Sequence, residues 1–127
     1  LTHAAALSRF FWPGGGGNKS DLAKARRNKL IKIFQIQESS PLKDRKLRNS
    51  IEHFDERLDR YLLTLNSGYI FTSPIIDDHS LTEVSYGHFF KLAEPANEIC
   101  VILGKKFYYG EIRKEVKKIL SKARALD

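Results

Sequence analysis

The chain has 127 residues, 42% hydrophobic and 29% charged, with a formal net charge of +7. That length suits one domain with a modest core, and the composition excludes global disorder. No run approaches the roughly 18 apolar residues of a membrane span, and no basic region precedes the apolar start "LTHAAALSRFFWPG", so neither a transmembrane helix nor a signal peptide is expected.

In chain order, residues 1–12 read as a helix with Ala4, Leu7, Phe10 and Phe11 on one side, ended by Pro13 and four glycines. "PGGGGNKSD" is a loop by composition. Ser20 or Asp21 is placed to cap a second helix, in which Leu22, Ala25, Leu30, Ile33 and Phe34 recur at helical spacing to about residue 37. "ESSPLKD" breaks it at Pro41. A third helix follows, capped by Asp44. Leu47, Ile51, Phe54, Leu58, Tyr61, Leu62 and Leu65 step along it by three and four, and "NSG" at residues 66–68 stops it. Residues 69–97 have no period, beyond a short strand in "YIFTSPIIDD" before Pro74. "EICVILGKKFYY" predicts a β-hairpin turning at Gly104-Lys105. A last helix carries Ile112, Val116, Ile119, Leu120 and Ala123 on one face, and Arg113, Lys114, Lys117, Lys118, Lys122 and Arg124 on the other. The fold class expected is therefore all-α: a single helical-bundle domain over 1–127 with a small β-hairpin before the C-terminal helix.

The basic balance favours an anionic partner, nucleic acid ahead of an anionic membrane, with solubility alone as the other explanation. Cys100, the one cysteine, lies in the apolar run "ICVIL" and is expected in the core; a reducing cytoplasm is the default compartment. No Cys/His cluster has zinc-ligand spacing, so neither a metal nor a cofactor is expected. "PGGGGNKS" imitates a phosphate-binding loop but has Pro13 and Asn18 where the two glycines belong. The aromatic cluster Phe10, Phe11 and Trp12 reads as core or a dimer contact before it reads as a base-stacking platform. His3, His79 and His88 stand apart from one another and from carboxylates in sequence, and read as surface or structural residues. The basic C-terminal helix face is either simply solvated or a track for a phosphate backbone.

The apolar stripe of the third helix leaves Arg48, Asn49 and His53 unexplained. At about 100° per residue, Arg48 and His53 are roughly 140° apart around the helix, flanking the buried stripe. Two such helices meeting about a two-fold axis would bring an Arg and a His from each chain into one cleft. Histidine exchanges protons near neutral pH, and arginine matches phosphate oxygens bidentately. Together they suit metal-free cleavage of an RNA phosphodiester: one His takes the 2′-OH proton, Arg stabilises charge at phosphorus, and a second His protonates the leaving 5′-oxygen.

"RNSIEH", residues 48–53, resembles the R-[N/D/H]-x-x-x-H signature of the HEPN superfamily, and the flanking "SPLKDRKLRNSIEHFDERLD" and the opening "LTHAAALSRFFWP" are similar to HEPN-like bacterial proteins. The resemblance implies a HEPN-like helical bundle with a further helix upstream of Leu1, a homodimer, and a metal-independent endoribonuclease leaving 2′,3′-cyclic phosphate ends. Its catalytic residues would be Arg48, Asn49 and His53, with Arg45, Lys46 and Arg57 guiding RNA. It also implies the setting of toxin–antitoxin or phage-defence systems, with an antitoxin or nucleotidyltransferase as partner protein. Glu56 stands where active toxins often carry a Tyr, and Glu52, Asp55, Glu56 and Asp59 add repulsion toward RNA. The alternative is a non-catalytic helical dimerisation, regulatory or nucleic-acid-binding module.

Overall fold

The computed structural model describes residues 1–14, 20–65, 67–72, 75–83 and 87–126. Among them are five α-helices and two small β-sheets: α1 (Thr2–Phe11), α2 (Asp21–Phe34), α3 (Arg45–Glu52), α4 (Phe54–Leu63), β1 (Tyr69–Phe71), β2 (Gly87–Phe89), β3 (Lys91–Glu94), β4 (Ile99–Ile102), β5 (Lys105–Tyr108) and α5 (Gly110–Arg124). The fold is thus mixed α+β. Helix dominates, but the β content exceeds the small hairpin and the one short strand, found as β1, that the sequence led one to expect. The chain divides into two compact units, a helical one of residues 1–48 and 111–127 and a sheet-bearing one of residues 49–110.

In the helical unit, Phe11, Trp12, Ile36, Leu42 and Ile119 form the buried core, flanked by Leu7, Leu30, Phe34 and Val116. The Phe11 ring meets Phe34 edge-on at 6.1 Å, a favoured aromatic geometry. Phe10 does not share the buried side of α1 as the spacing predicted. It is 50% exposed and lies under the Arg26 guanidinium, 5.6 Å from its ring, while Ala5, Ser8 and Phe11 turn inward. α2 stops where Gln35 adopts a left-handed conformation (φ 50°, ψ 46°), with Ile36 N–H returning to the Ile31 carbonyl. Ser20 stands at its N-terminus without a side-chain capping bond. Asp44 does cap α3, its Oδ1 accepting the Lys46 N–H at 2.8 Å.

The expected third helix is two. His53, at φ −105° and ψ 33°, leaves the helical region between α3 and α4. The bonds His53 N–H to Asn49 O and Arg57 N–H to His53 O continue across the step. The three-and-four spacing of apolar residues therefore survives the break, and the spacing does not report it.

In the sheet-bearing unit, β1 and β2 pair in parallel, with Tyr69 opposite Gly87 and Phe71 opposite Phe89. β3, β4 and β5 form an antiparallel sheet. Phe89, Leu92, Ile99 and Val101 make its core. The β4 run "ICVI" is buried throughout, as a central strand should be, and its neighbour β5 is an edge strand bearing exposed Lys105 and Lys106. The hairpin is where the sequence put it, but one residue earlier: Leu103 (φ 47°) and Gly104 (φ 75°) are its two central residues. Positive φ at both positions is the twist that suits a two-residue hairpin. The phosphate-loop imitation falls largely in residues 15–19, outside the described residues, as does Asn66 of the expected helix stop.

Candidate functional site

Arg48 is only 5% exposed. Its Nη1 donates to Ser8 Oγ at 3.2 Å and to the Trp12 carbonyl at 3.1 Å. Ser8, itself buried, donates on to the Leu42 carbonyl at 2.6 Å. The carbonyls just past the end of a helix have no intrahelical donor. Arg48 supplies one at Trp12, and Arg45 reaches the next carbonyl, Pro13 O, at 3.4 Å. Two of the six residues singled out by the sequence therefore finish the C-terminal end of α1.

The boundary between the two units falls between Arg48 and Asn49. Asn49 is half-buried and its carbonyl receives the His53 N–H at 3.1 Å. The His53 side chain is about half exposed, with Nδ1 3.3 Å from a Glu56 carboxylate oxygen. Lys46 is exposed. Arg57 donates from Nη1 to Ser50 Oγ at 2.6 Å, and Ser50 is 2% exposed.

Charge is divided unevenly between the units. The helical unit holds 17 of the 22 Lys and Arg and 6 of the 15 Asp and Glu; the sheet-bearing unit holds 5 and 9. Net charge is therefore +11 on the first and −4 on the second. Most of the basic residues of α2 and α5 are exposed: Lys24, Arg26, Lys29 and Lys32 on one helix, Arg113, Lys114, Lys117, Lys118 and Arg124 on the other. Lys122 has a different task. Its Nζ donates to the Phe34 carbonyl at 2.9 Å and to Gln35 Oε1 at 2.8 Å, closing the end of α2.

The sheet-bearing unit contains a cavity of about 270 Å³. Arg57, Arg60 and Tyr61 of α4 line one side, Ile102, Leu103 and Lys105 of the hairpin the other, and Ser50 completes it. Tyr61 packs edge-on to Phe90 at 6.3 Å, and burial holds its hydroxyl above the ordinary tyrosine pKa.

One cluster escaped the sequence reading. Glu94, 1% exposed on β3, accepts the His79 backbone N–H at 2.6 Å, the His79 Nδ1–H at 2.7 Å and the Asn97 amide. The Asn97 bond, opposed by burial and aided by His79, holds the Glu94 carboxyl below the usual glutamate range. Asp78 Oδ1 accepts the Ser80 N–H, which lowers its pKa too. Oxygen and nitrogen donors from Asp78, His79 and Glu94 lie within 4.8 Å of one another. Such a donor set has the chemistry for a divalent cation of the zinc or manganese type. The only sequence signal was the period of β3: Leu92 faces the core, so position 94 faces it as well. His79 is thus not isolated from carboxylates; the fold brings Glu94 to it from 15 residues away.

No helix among the described residues is long and apolar enough to cross a membrane. Comparison with protein-family models, with curated proteins and with solved structures finds no match to this chain.

Proposed function

We propose that this chain is an RNA-binding module that holds a phosphate backbone on its helical unit. The observation carrying this reading is the concentration of charge: +11 on residues 1–48 and 111–127, presented as exposed Lys and Arg along α2 and α5. A phosphate backbone bound there releases counterions, so affinity should fall steeply with salt. Anisotropy titration of labelled single-stranded RNA between about 50 and 200 mM salt tests this. The slope of log K against log salt should be several units, and each lysine removed from α5 should lower it by about one. Absence of binding at low salt, or a flat salt response, overturns the reading.

Metal-independent RNA cleavage by a homodimeric HEPN-like bundle is the second reading. The accessible imidazole of His53, one helical turn from Asn49, favours it. His53 would act as general acid and base, and an antitoxin or nucleotidyltransferase partner belongs to this reading. Arg48 fits it less well, since clamping phosphate would require leaving Ser8 and Trp12. Incubation of RNA with the protein in EDTA separates the two readings. Cleavage to 2′,3′-cyclic ends that His53→Ala abolishes supports the nuclease; intact RNA bound by the folded protein leaves binding alone.

A further inference from the structure

The cavity between α4 and the β4–β5 hairpin lies in the acidic unit, yet three of that unit's five basic residues line it. Several cations elsewhere meet carboxylates: Arg27 and Lys43 hold Glu38, Lys114 holds Glu111, and Lys106 approaches Glu83. Among the described residues, the side chains of Arg60 and Lys105 meet no hydrogen-bond or ion-pair partner. The Arg57 guanidinium has one hydrogen bond, to the buried Ser50 hydroxyl. That bond fixes one corner of the guanidinium and leaves its remaining N–H groups for another acceptor. The negative end of the α4 dipole accounts for a base at Arg60, in the last helical turn. It does not account for Lys105, which arrives from a different element.

The remaining wall is apolar. Ile102 is buried, Leu103 half-buried, and the Tyr61 ring is held by Phe90. Tyr61 keeps its proton at neutral pH, so its hydroxyl is a donor as well. Convergent cations beside an apolar and aromatic wall describe a two-part ligand, an anion joined to a flat or apolar group. The volume of about 270 Å³ lies just under the roughly 300–1,000 Å³ of clefts for drug-sized ligands, which limits the occupant to about one nucleotide.

We infer that this cavity binds a phosphate monoester of mononucleotide size, its phosphate on Arg57, Arg60 and Lys105 and its ring against Tyr61, Ile102 and Leu103. Guanidinium and ammonium groups both suit phosphate, the first through paired N–H groups and the second as a point charge. Its lining residues all belong to the sheet-bearing unit and include none of the basic residues of α2 and α5, so the assignment does not rest on RNA binding by those helices.

Calorimetric titration with AMP, adenosine and inorganic phosphate tests the assignment, on wild type and on Arg60→Gln and Lys105→Gln, which remove exposed charges. AMP should bind and raise the melting temperature, while adenosine should not bind. Each variant should lose roughly tenfold in AMP affinity at unchanged melting temperature of the free protein. Tyr61→Phe, which keeps the ring, should retain more AMP affinity than Tyr61→Ala. RNA affinity should be unchanged in Arg60→Gln and Lys105→Gln, which distinguishes failure of this site from failure of the RNA-binding reading. Equal binding of AMP and adenosine, tighter binding of inorganic phosphate than of AMP, or undiminished AMP affinity in both variants overturns the assignment.

Discussion

At Arg48 a charged side chain with about 2 kcal/mol of rotamer entropy is held in the interior, with Ser8 Oγ and Trp12 O among its acceptors. Removing it leaves those acceptors under a buried guanidinium-sized space, so Arg48→Ala should destabilise the protein by about 2–4 kcal/mol. Arg48→Lys should recover only part, because an ammonium does not reproduce the planar fork. Urea midpoints without RNA measure both, and a loss appearing there identifies Arg48 as a structural residue. Cys100 is 3% exposed and burial pushes its thiol up to about 11. Ellman's reagent should therefore label it only as fast as the protein opens, with the rate rising on addition of denaturant. Glu94 provides a pH test. Its folded pKa lies below its unfolded value, so its contribution to stability is complete above the ordinary glutamate value of 4.5 and is lost as pH falls through the lower folded value. The thermal midpoint of wild type should drop across that acid range, and Glu94→Gln should be less stable at pH 7 with a shallower acid slope.

At the scale of elements, the β4–β5 turn is held by two left-handed residues, of which only Gly104 is a glycine. Leu103 at φ 47° bears a cost of about 1–2 kcal/mol that Asn tolerates better. Leu103→Asn should raise the urea midpoint, whereas Gly104→Ala should lower it. For Gly104 the penalty comes from φ alone, since an added Cβ meets only Tyr61 Cε2 at an ordinary 3.8 Å. Lys122 closes the C-terminal end of α2 from α5. Lys122→Ala should cost about 1 kcal/mol, read by the same unfolding curves.

For the whole molecule, the separation of +11 from −4 predicts where long-range electrostatics act. Lys117→Glu with Lys118→Glu, both exposed on α5, should weaken RNA binding by at least tenfold at low salt. The matched double reversal of Lys105 and Lys106 on β5, an equal change of charge, should change it far less. Anisotropy titrations on the two variants compare them directly. Average composition hides this asymmetry, because a chain of net +7 reads as uniformly basic until its charges are assigned to units.

The sequence by itself determined where helix and hairpin form, though not the break at His53, because the residues that form them are neighbours along the chain. Apolar steps of three and four marked α1, α2, α4 and α5, Asp44 marked the start of α3, and the β-rich runs around Gly104 marked β4 and β5. It also pointed to the burial of Cys100, in its apolar run, and put Phe10, Phe11 and Trp12 in the core or at a dimer contact; Cys100, Phe11 and Trp12 are buried, and Phe10 is half exposed. Only the tertiary structure decided the parallel pairing of Tyr69–Phe71 with Gly87–Phe89, since three-residue strands have too few positions to show a period and their partner is remote. It decided as well that Arg48 turns to Trp12 instead of to solvent, and that His79 meets Glu94. It brought Arg57 and Arg60 together with Lys105 around one cavity. Each of these depends on which distant residue arrives opposite, and that is a property of packing: local spacing fixes the face a side chain leaves from, and the fold supplies what it meets.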